Sequence, residues 1–100
     1  MALFVVITEE GRSWVHGRPM RDQAEWKEHA DFMNALAEER LVLVGGPLHG
    51  GARHRALLIA QSSDAATLRA RLEADPWMQH GLLRFVDLSP WEVLLGDAPT

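Results

Sequence analysis

The sequence predicts an α+β domain with the element order β-α-β-β-α-β. Two observations indicate it: four short segments rich in β-branched and aliphatic residues, and two segments whose apolar residues recur with helical spacing. A chain of 100 residues is long enough to bury one core. We therefore expect a single domain over residues 1–96, followed by a frayed tail over residues 97–100.

The first strand is predicted at residues 3–8. Its letters, LFVVIT, are nearly all apolar, which is typical of a strand that is covered on both faces. Residues 9–19 form a polar connection that holds a tryptophan and two arginines and is longer than a simple link requires. Loops of this kind often carry function or are covered by a partner.

The first helix is predicted to run from Asp22 to about Arg40. Asp22 and Glu25 have the spacing of a capping box, and the charge of Arg40 suits the negative end of the helix dipole. At about 100° per residue, His29 falls near the centre of the apolar arc. The arc consists of Trp26, His29, Ala30, Met33, Leu36 and Ala37.

The second half of the chain contributes the remaining elements. A strand at 41–44 is stopped by the glycines and proline of 45–47, and a glycine-rich turn at 48–54 leads to a strand at 56–60. A helix follows the capping residues 62–64 and ends before Pro76. The last strand is predicted at 82–88, with an extension over 91–95.

This order is that of the ferredoxin-like folds, in which a four-stranded antiparallel sheet carries both helices on one face. The apolar first strand then needs cover on its second face as well. A second copy of the chain, packed sheet to sheet, would supply that cover, so we expect a homodimer.

The order and spacing of several short motifs resemble the YCII-related (YciI-like) proteins over residues 1–95. The motifs are His29 on the inner face of the first helix, a strand that ends in Gly46-Pro47, and Ala74-Asp75-Pro76 before the closing strand. The resemblance implies a dimeric α+β barrel whose active site holds His29 and Asp75. One branch of the family is similar to dehydrochlorinases of chlorinated hydroxyquinols, whereas the loop at 9–19 departs from the shorter members.

Each member of the predicted pair has a second interpretation. A lone histidine on an apolar helix face is often a core residue bonded to the backbone, and Asp75 precedes a proline where it would cap the short turn 76–79. In the functional interpretation, His29 exchanges protons near neutral pH while the carboxylate orients its ring and balances its charge.

Five further residues are candidates for substrate binding. Trp26 lies one helical turn before His29 and could form an apolar wall beside the imidazole. Trp77 lies two residues after Asp75. Gly46 and Pro47 either only bend the chain or bring backbone close to a substrate oxyanion. Arg18 could meet a carboxylate or phenolate, although a solvated surface charge is the commoner role.

Composition argues against other classes of function. The chain has no cysteine and a formal charge of -4, and its N-terminal apolar run is far shorter than the roughly 18 residues of a membrane span. No pair of histidines has the spacing of a helical zinc site, and no phosphate-binding loop occurs. We expect a cytoplasmic protein without metal, cofactor, nucleic-acid or membrane partner.

The sequence thus leads to two functional hypotheses and to a third possibility, a pure scaffold dimer, which would have no pocket of ligand size. The first is a cofactor-free lyase or isomerase in which His29 and Asp75 perform acid–base chemistry on a small organic acid or hydroxylated aromatic compound. The second is a non-catalytic small-molecule-binding or accessory dimeric domain, in which the same pair would fix a helix to the sheet.

Overall fold

The computed structural model describes residues 1–99. Its elements are β1 (Ala2–Glu10), a 3-10 turn (Met20–Asp22), α1 (Trp26–Glu38), β2 (Val42–Leu48), β3 (Arg55–Ser62), α2 (Ala65–Glu73), α3 (Pro76–Gln79) and β4 (Leu83–Trp91). The predicted order is confirmed, with the 3-10 turn and the short α3 added to it. Of the tail predicted at 97–100, residue 100 lies outside the described part of the chain.

The four strands form one antiparallel sheet in the order β2-β3-β1-β4. This topology confirms the ferredoxin-like α+β class that the sequence predicted. The two most apolar strands, β1 and β3, occupy the centre, while the two strands that contain proline, β2 and β4, lie at the edges. Proline is tolerated at an edge because no neighbouring strand needs its missing amide hydrogen.

One face of β1 carries the core. Side chains alternate along the strand, so that Phe4, Val6, Thr8 and Glu10 are buried on the same side. Both long helices pack against this face. The main core cluster is Phe4, Val6, Leu36, Val42, Ala60, Leu68 and Leu72, with Leu36 from α1 and Leu68 and Leu72 from α2.

The opposite face of the sheet is apolar, and no helix of residues 1–99 packs on it. In the strand register, Val5 lies opposite Ile59, and Ile7 lies opposite Leu57. Leu3 is paired with Trp91 at the edge, whose side chain remains exposed. The apolar second face that the sequence predicted for the first strand is therefore present, while the homodimer inferred from it stays a prediction.

The predicted start of the first helix was wrong. Asp22 belongs to the preceding 3-10 turn, and α1 begins at Trp26 with Glu25 as its N-cap. Glu25 has a left-handed backbone (φ 60°) and makes no side-chain cap; its carboxylate instead contacts Nδ1 of His80 at 2.6 Å. The helix stops at Glu38 because Arg40 also turns left-handed (φ 65°), a role that usually falls to glycine.

Two strand boundaries also differ from the prediction. Gly45, Gly46 and Pro47 do not stop the second strand, since β2 continues through them to Leu48. The predicted extension of the last strand past Pro90 is present, but β4 ends at Trp91 and residues 92–95 are not part of a strand. Pro47 and Pro90 can both lie inside strands because an edge strand tolerates proline.

The second helix follows the prediction more closely. Oδ1 of Asp64 accepts a hydrogen bond from the amide of Thr67 at 2.7 Å, which caps the N-terminus of α2. Pro76 does lie beyond the end of α2, but it also occupies the first position of α3, where its fixed φ and missing amide suit a helix start.

Candidate active site

Two elements that are distant in the sequence bring His29 and Asp75 together. His29 lies one turn into α1, and Asp75 is the residue that caps α3. Nδ1 of His29 lies 2.7 Å from Oδ2 of Asp75. The contact spans 46 positions of the sequence, which helical spacing alone could not have predicted.

Both oxygens of the Asp75 carboxylate are engaged. Oδ1 accepts a hydrogen bond from the amide of Trp77 at 3.0 Å, while Oδ2 faces His29. The side chain of Asp75 is 4% exposed and that of His29 is 14% exposed. Because an ionised carboxylate only accepts hydrogen bonds, a neutral His29 carries its proton on Nδ1 and a free lone pair on Nε2. Capping and pairing, which the sequence left as alternatives, both occur.

The ring of His29 is held between aromatic side chains. It stacks on Trp77, with centroids 3.9 Å apart and planes inclined by 8°. Trp26 packs near both rings, at 5.9 Å from His29 and 5.7 Å from Trp77. Trp77 is itself fixed, because its indole Nε1 donates to the carbonyl of Ala24 at 2.7 Å. These contacts leave the imidazole few orientations.

A cavity of about 370 Å³ lies between the helices and the sheet, and His29 and Asp75 are part of its wall. This volume lies at the lower end of the range for small-molecule sites. Most of the lining is apolar. The space exists because several facing positions carry small side chains or none, namely Ala30, Ala37, Gly45 and Ala56.

Four of the five predicted binding residues line this cavity. They are Trp26, Trp77, Gly46 and Pro47. Gly46 is opposite Leu57 in the strand register and so belongs to the outer face of the sheet, which means that it reaches the cavity through its backbone. Arg18 does not line the cavity; it is exposed beside a second groove that it shares with Trp14 and His16.

Sequence reasoning missed His54, which also lines the cavity. Its ring stacks on Trp14, with centroids 4.3 Å apart and planes inclined by 10°. Burial lowers the pKa of His54, and the nearby charge of His29 lowers it further, whereas the carboxylate of Glu10 opposes both. His54 is therefore neutral at neutral pH. In the sequence it flanks a glycine-rich turn, where a solvated side chain is the usual expectation.

A buried glutamine holds the long loop that carries Trp14. The side chain of Gln23 accepts from the amide of Val15 at 3.0 Å and donates to the carbonyls of Val15 and Arg18, both at 2.9 Å. Gln23 is buried, so breaking these bonds would leave its amide without partners. The loop packs Trp14 against Trp77 and His54, while its predicted functional role stays a prediction.

Within residues 1–99, no group of three or more His, Asp or Glu side chains is arranged to hold a metal ion. Among the same residues, the helices are too short or too polar to cross a bilayer.

Comparison with known proteins gives a likeness in structure. No family model matches the sequence, and no curated protein matches it. A solved structure of 5-chloro-2-hydroxyhydroquinone dehydrochlorinase from Burkholderia phenoliruptrix AC1100, in complex with 2,5-dihydroxybenzoquinone, superposes with a TM-score of 0.56. The two chains are 22% identical, and the match covers 94% of this chain and 95% of the other. At this identity the likeness shows a shared fold.

Proposed function

We propose that the protein is a cofactor-free lyase or isomerase that acts on a small hydroxylated aromatic compound or organic acid. The observation that carries this proposal is the bond between His29 and Asp75 in the wall of an open, largely apolar cavity. A proton-transfer group, a carboxylate that orients it and room for a small ring are the elements that such chemistry requires.

In this proposal His29 moves the proton and Asp75 supports it. Nε2 of His29 takes a proton from a substrate hydroxyl group, and the resulting imidazolium is stabilised by the carboxylate 2.7 Å from Nδ1. The same imidazolium can return the proton to an adjacent carbon, which converts an enol into its keto tautomer without any redox partner. Stacking on Trp77 keeps Nε2 in one direction throughout the reaction.

Small aromatic compounds with oxygen substituents fit the character of the cavity. Its largely apolar lining favours the faces of a ring, while the imidazole of His29 meets a polar edge. The dehydrochlorinase of similar fold acts on a chlorinated hydroxyhydroquinone and was solved with a dihydroxyquinone, which belong to the same chemical class. We therefore choose 5-chloro-2-hydroxyhydroquinone as a test substrate and 2,5-dihydroxybenzoquinone as a test ligand.

The cavity wall at Gly46 and Pro47 would face the oxyanion that develops on the substrate. β2 is an edge strand, so alternate backbone groups along it have no strand partner on their outer side. Pro47 has no amide hydrogen, so in this proposal a hydrogen bond to the substrate comes from the backbone of the glycines that precede it.

Two substitutions test the catalytic role. His29→Gln and Asp75→Asn should each lower the rate of chloride release from 5-chloro-2-hydroxyhydroquinone by about 10²–10⁴-fold, the usual contribution of a general acid–base group. Asparagine also caps helices, so Asp75→Asn keeps the acceptor for the amide of Trp77 while it removes the charge.

Asp64→Asn is the matched control, since it makes the same change at the N-cap of α2 outside the cavity lining. Its rate should stay within about threefold of wild type, as expected for a surface change. Full activity of both site variants, or no activity of the wild-type protein on this class of compound, would refute the proposal.

A non-catalytic binding domain is the second candidate function. One observation favours it: the same pair also joins α1 to α3, because His29 packs on Trp77 while Asp75 caps the helix that contains it. Turnover separates the two candidates. A binding domain should bind 2,5-dihydroxybenzoquinone without releasing chloride from 5-chloro-2-hydroxyhydroquinone, whereas a lyase should release it.

We also propose that the chain belongs to the YCII-related family and forms a homodimer. The order of its motifs and its fold support the family, and the apolar outer face of the sheet supports a partner of the same kind. Sheet-to-sheet packing would cover the half-buried Val5, Ile7 and Leu57 and leave the two cavities on the outside of the dimer.

A further inference from the structure

His54 stands apart from the other histidines of the site and its surroundings. The rings of His16, His29 and His80 each contact a carboxylate. The ring of His54 has no hydrogen-bond partner among the described residues, although it lines the same cavity as His29. Among residues 1–99, no protein group therefore occupies either of its ring nitrogens, each of which can donate or accept a hydrogen bond.

Hydrogen bonds hold the backbone of His54, whereas its ring nitrogens make none to residues 1–99. Its carbonyl accepts from the amide of Glu10 at 2.8 Å, and its amide donates to Oε1 of Glu10 at 3.3 Å. The Glu10 side chain is only 6% exposed and is also approached by Arg53 and His16. This anchoring places the imidazole without using its nitrogens.

A row of stacked rings connects the two histidines. His29 stacks on Trp77, the ring of Trp77 meets that of Trp14 edge to face at 5.4 Å, and Trp14 stacks on His54. The histidines occupy the two ends of this row, one on α1 and the other just before β3. They are therefore separated by two indoles while they border one cavity.

We infer that His54 is a second proton-transfer residue, which serves the hydroxyl group of a para-dihydroxylated ring that lies at the end opposite to His29. The inference rests on the proposed function and specifies its substrate: a ring with two para hydroxyl groups and a leaving group on the carbon beside one of them. Such a ring has two ends that each need a proton acceptor.

The steps balance without an oxidant or a cofactor. His29 takes the proton of the first hydroxyl group and returns it to the adjacent carbon that bears the leaving group, so that the first C=O bond forms. His54 then takes the proton of the para hydroxyl group. The electron pair of that O–H bond forms the second C=O bond, the ring double bond shifts, and the carbon–halogen bond breaks with its pair on the halide. The products are a quinone and the acid HX.

The environment of His54 suits the second step. A histidine that is neutral at neutral pH is ready to accept a proton, and one with a lowered pKa returns it readily to solvent. The groups that face it are Glu10 and His29, whose charges act in opposite directions.

Two reactions separate the roles of the histidines. The first is deuterium incorporation from D₂O into the ring carbons of 2-hydroxyhydroquinone, which needs only the step assigned to His29. The second is chloride release from 5-chloro-2-hydroxyhydroquinone, which needs both steps. His54→Gln should lower chloride release at least about 100-fold and leave deuterium incorporation within about threefold of wild type, whereas His29→Gln should lose both.

His49→Gln is the control, since His49 is an exposed residue of the β2–β3 connection outside the cavity lining; both of its rates should match wild type. If His54→Gln released chloride at the wild-type rate while His29→Gln lost both reactions, the role of His54 would be overturned and the proposed function would stand. Loss of deuterium incorporation in His54→Gln would also overturn it. Absence of both reactions in the wild-type protein would overturn the two proposals together.

A measurement on the wild-type protein tests the inference even if the His54→Gln variant does not fold. ¹⁵N NMR of the His54 imidazole, recorded with and without 2,5-dihydroxybenzoquinone, should show a shift of a ring nitrogen when the ligand binds. Binding of this ligand with unchanged His54 nitrogens would overturn the inference.

Discussion

At the scale of single residues, the two histidines of the cavity differ in what surrounds them. His29 has a carboxylate on Nδ1 and an indole on its face, so its positive form is balanced by Asp75. His54 has an indole on its face, and no carboxylate within residues 1–99 contacts its ring. When two titratable groups in one site have different surroundings, their pKa values can differ, and one can act as the acid while the other acts as the base.

The lowered pKa of His54 predicts how stability depends on pH. The unfolded chain binds this proton near the ordinary value of 6.5, whereas the folded chain binds it at lower pH. His54 therefore lowers the free energy of unfolding as the pH falls from about 6.5 toward the folded pKa. The midpoint temperature of unfolding, measured by circular dichroism, should fall between about pH 7 and pH 5 in the wild-type protein. It should fall less in His54→Gln. His49→Gln is the control; an equal decrease in wild type and His54→Gln would contradict the shift.

The sequence predicted part of this site. His29 was found because it interrupts an apolar helical arc, and Asp75 because its surroundings resemble those of a family. His54 was missed because its place in the cavity wall depends on strand register. Glu9 pairs with Arg55, which puts His54 beside Glu10, and the loop then folds Trp14 onto it. The composition of a glycine-rich turn gives no signal of either contact.

At the scale of elements, the end of β1 and the start of β4 meet at Gly11. Its amide donates to the carbonyl of Leu82 at 2.8 Å, and a Cβ atom at this position would overlap the carbonyl oxygen of Gly81. The overlap involves backbone, so it cannot be relieved by rotating a side chain. Glycine is therefore required here by space rather than by its φ angle.

Gly11→Ala should lower the free energy of unfolding by about 1–3 kcal/mol, the usual cost of forcing extra volume into a packed site. Gly51→Ala is the matched control, because a Cβ atom there meets its nearest neighbour, the carbonyl oxygen of Arg53, at an ordinary 3.6 Å. Its stability should stay within about 0.5 kcal/mol of wild type in urea denaturation. Equal stability of the two variants would contradict the close approach.

Element boundaries were the part of the fold that local patterns predicted least well. Glu25 and Arg40 adopt left-handed backbone angles, which neither residue type signals, so both ends of α1 were placed too far out. Pro47 and Pro90 lie inside strands because those strands turned out to be edges. An edge position is a property of the assembled sheet, whereas the central strands were recognisable from their own composition.

At the scale of the whole molecule, the unpaired apolar face of the sheet predicts association. Val5 lies in the middle of this face, between Ile59 and Ser89 in the register. The wild-type protein should have twice the chain mass of 11.2 kDa by light scattering. Val5→Glu should shift it toward the monomer because a charge would be buried in the interface.

Val15→Glu is the control for this experiment, since Val15 is an exposed valine of the long loop. Its mass should equal that of wild type. A monomeric wild-type protein, or a Val5→Glu variant that is folded and still dimeric, would contradict sheet-to-sheet packing.

The central claim is that the Nε2 atom of His29 meets a substrate oxygen inside the cavity. A crystal structure of the complex with 2,5-dihydroxybenzoquinone tests it most directly. We expect a ligand oxygen within hydrogen-bonding distance, about 2.6–3.2 Å, of this nitrogen, with the contact between Nδ1 and Asp75 retained. A ligand bound elsewhere, or a His29 ring turned away from the cavity with Asp75 still attached, would contradict it.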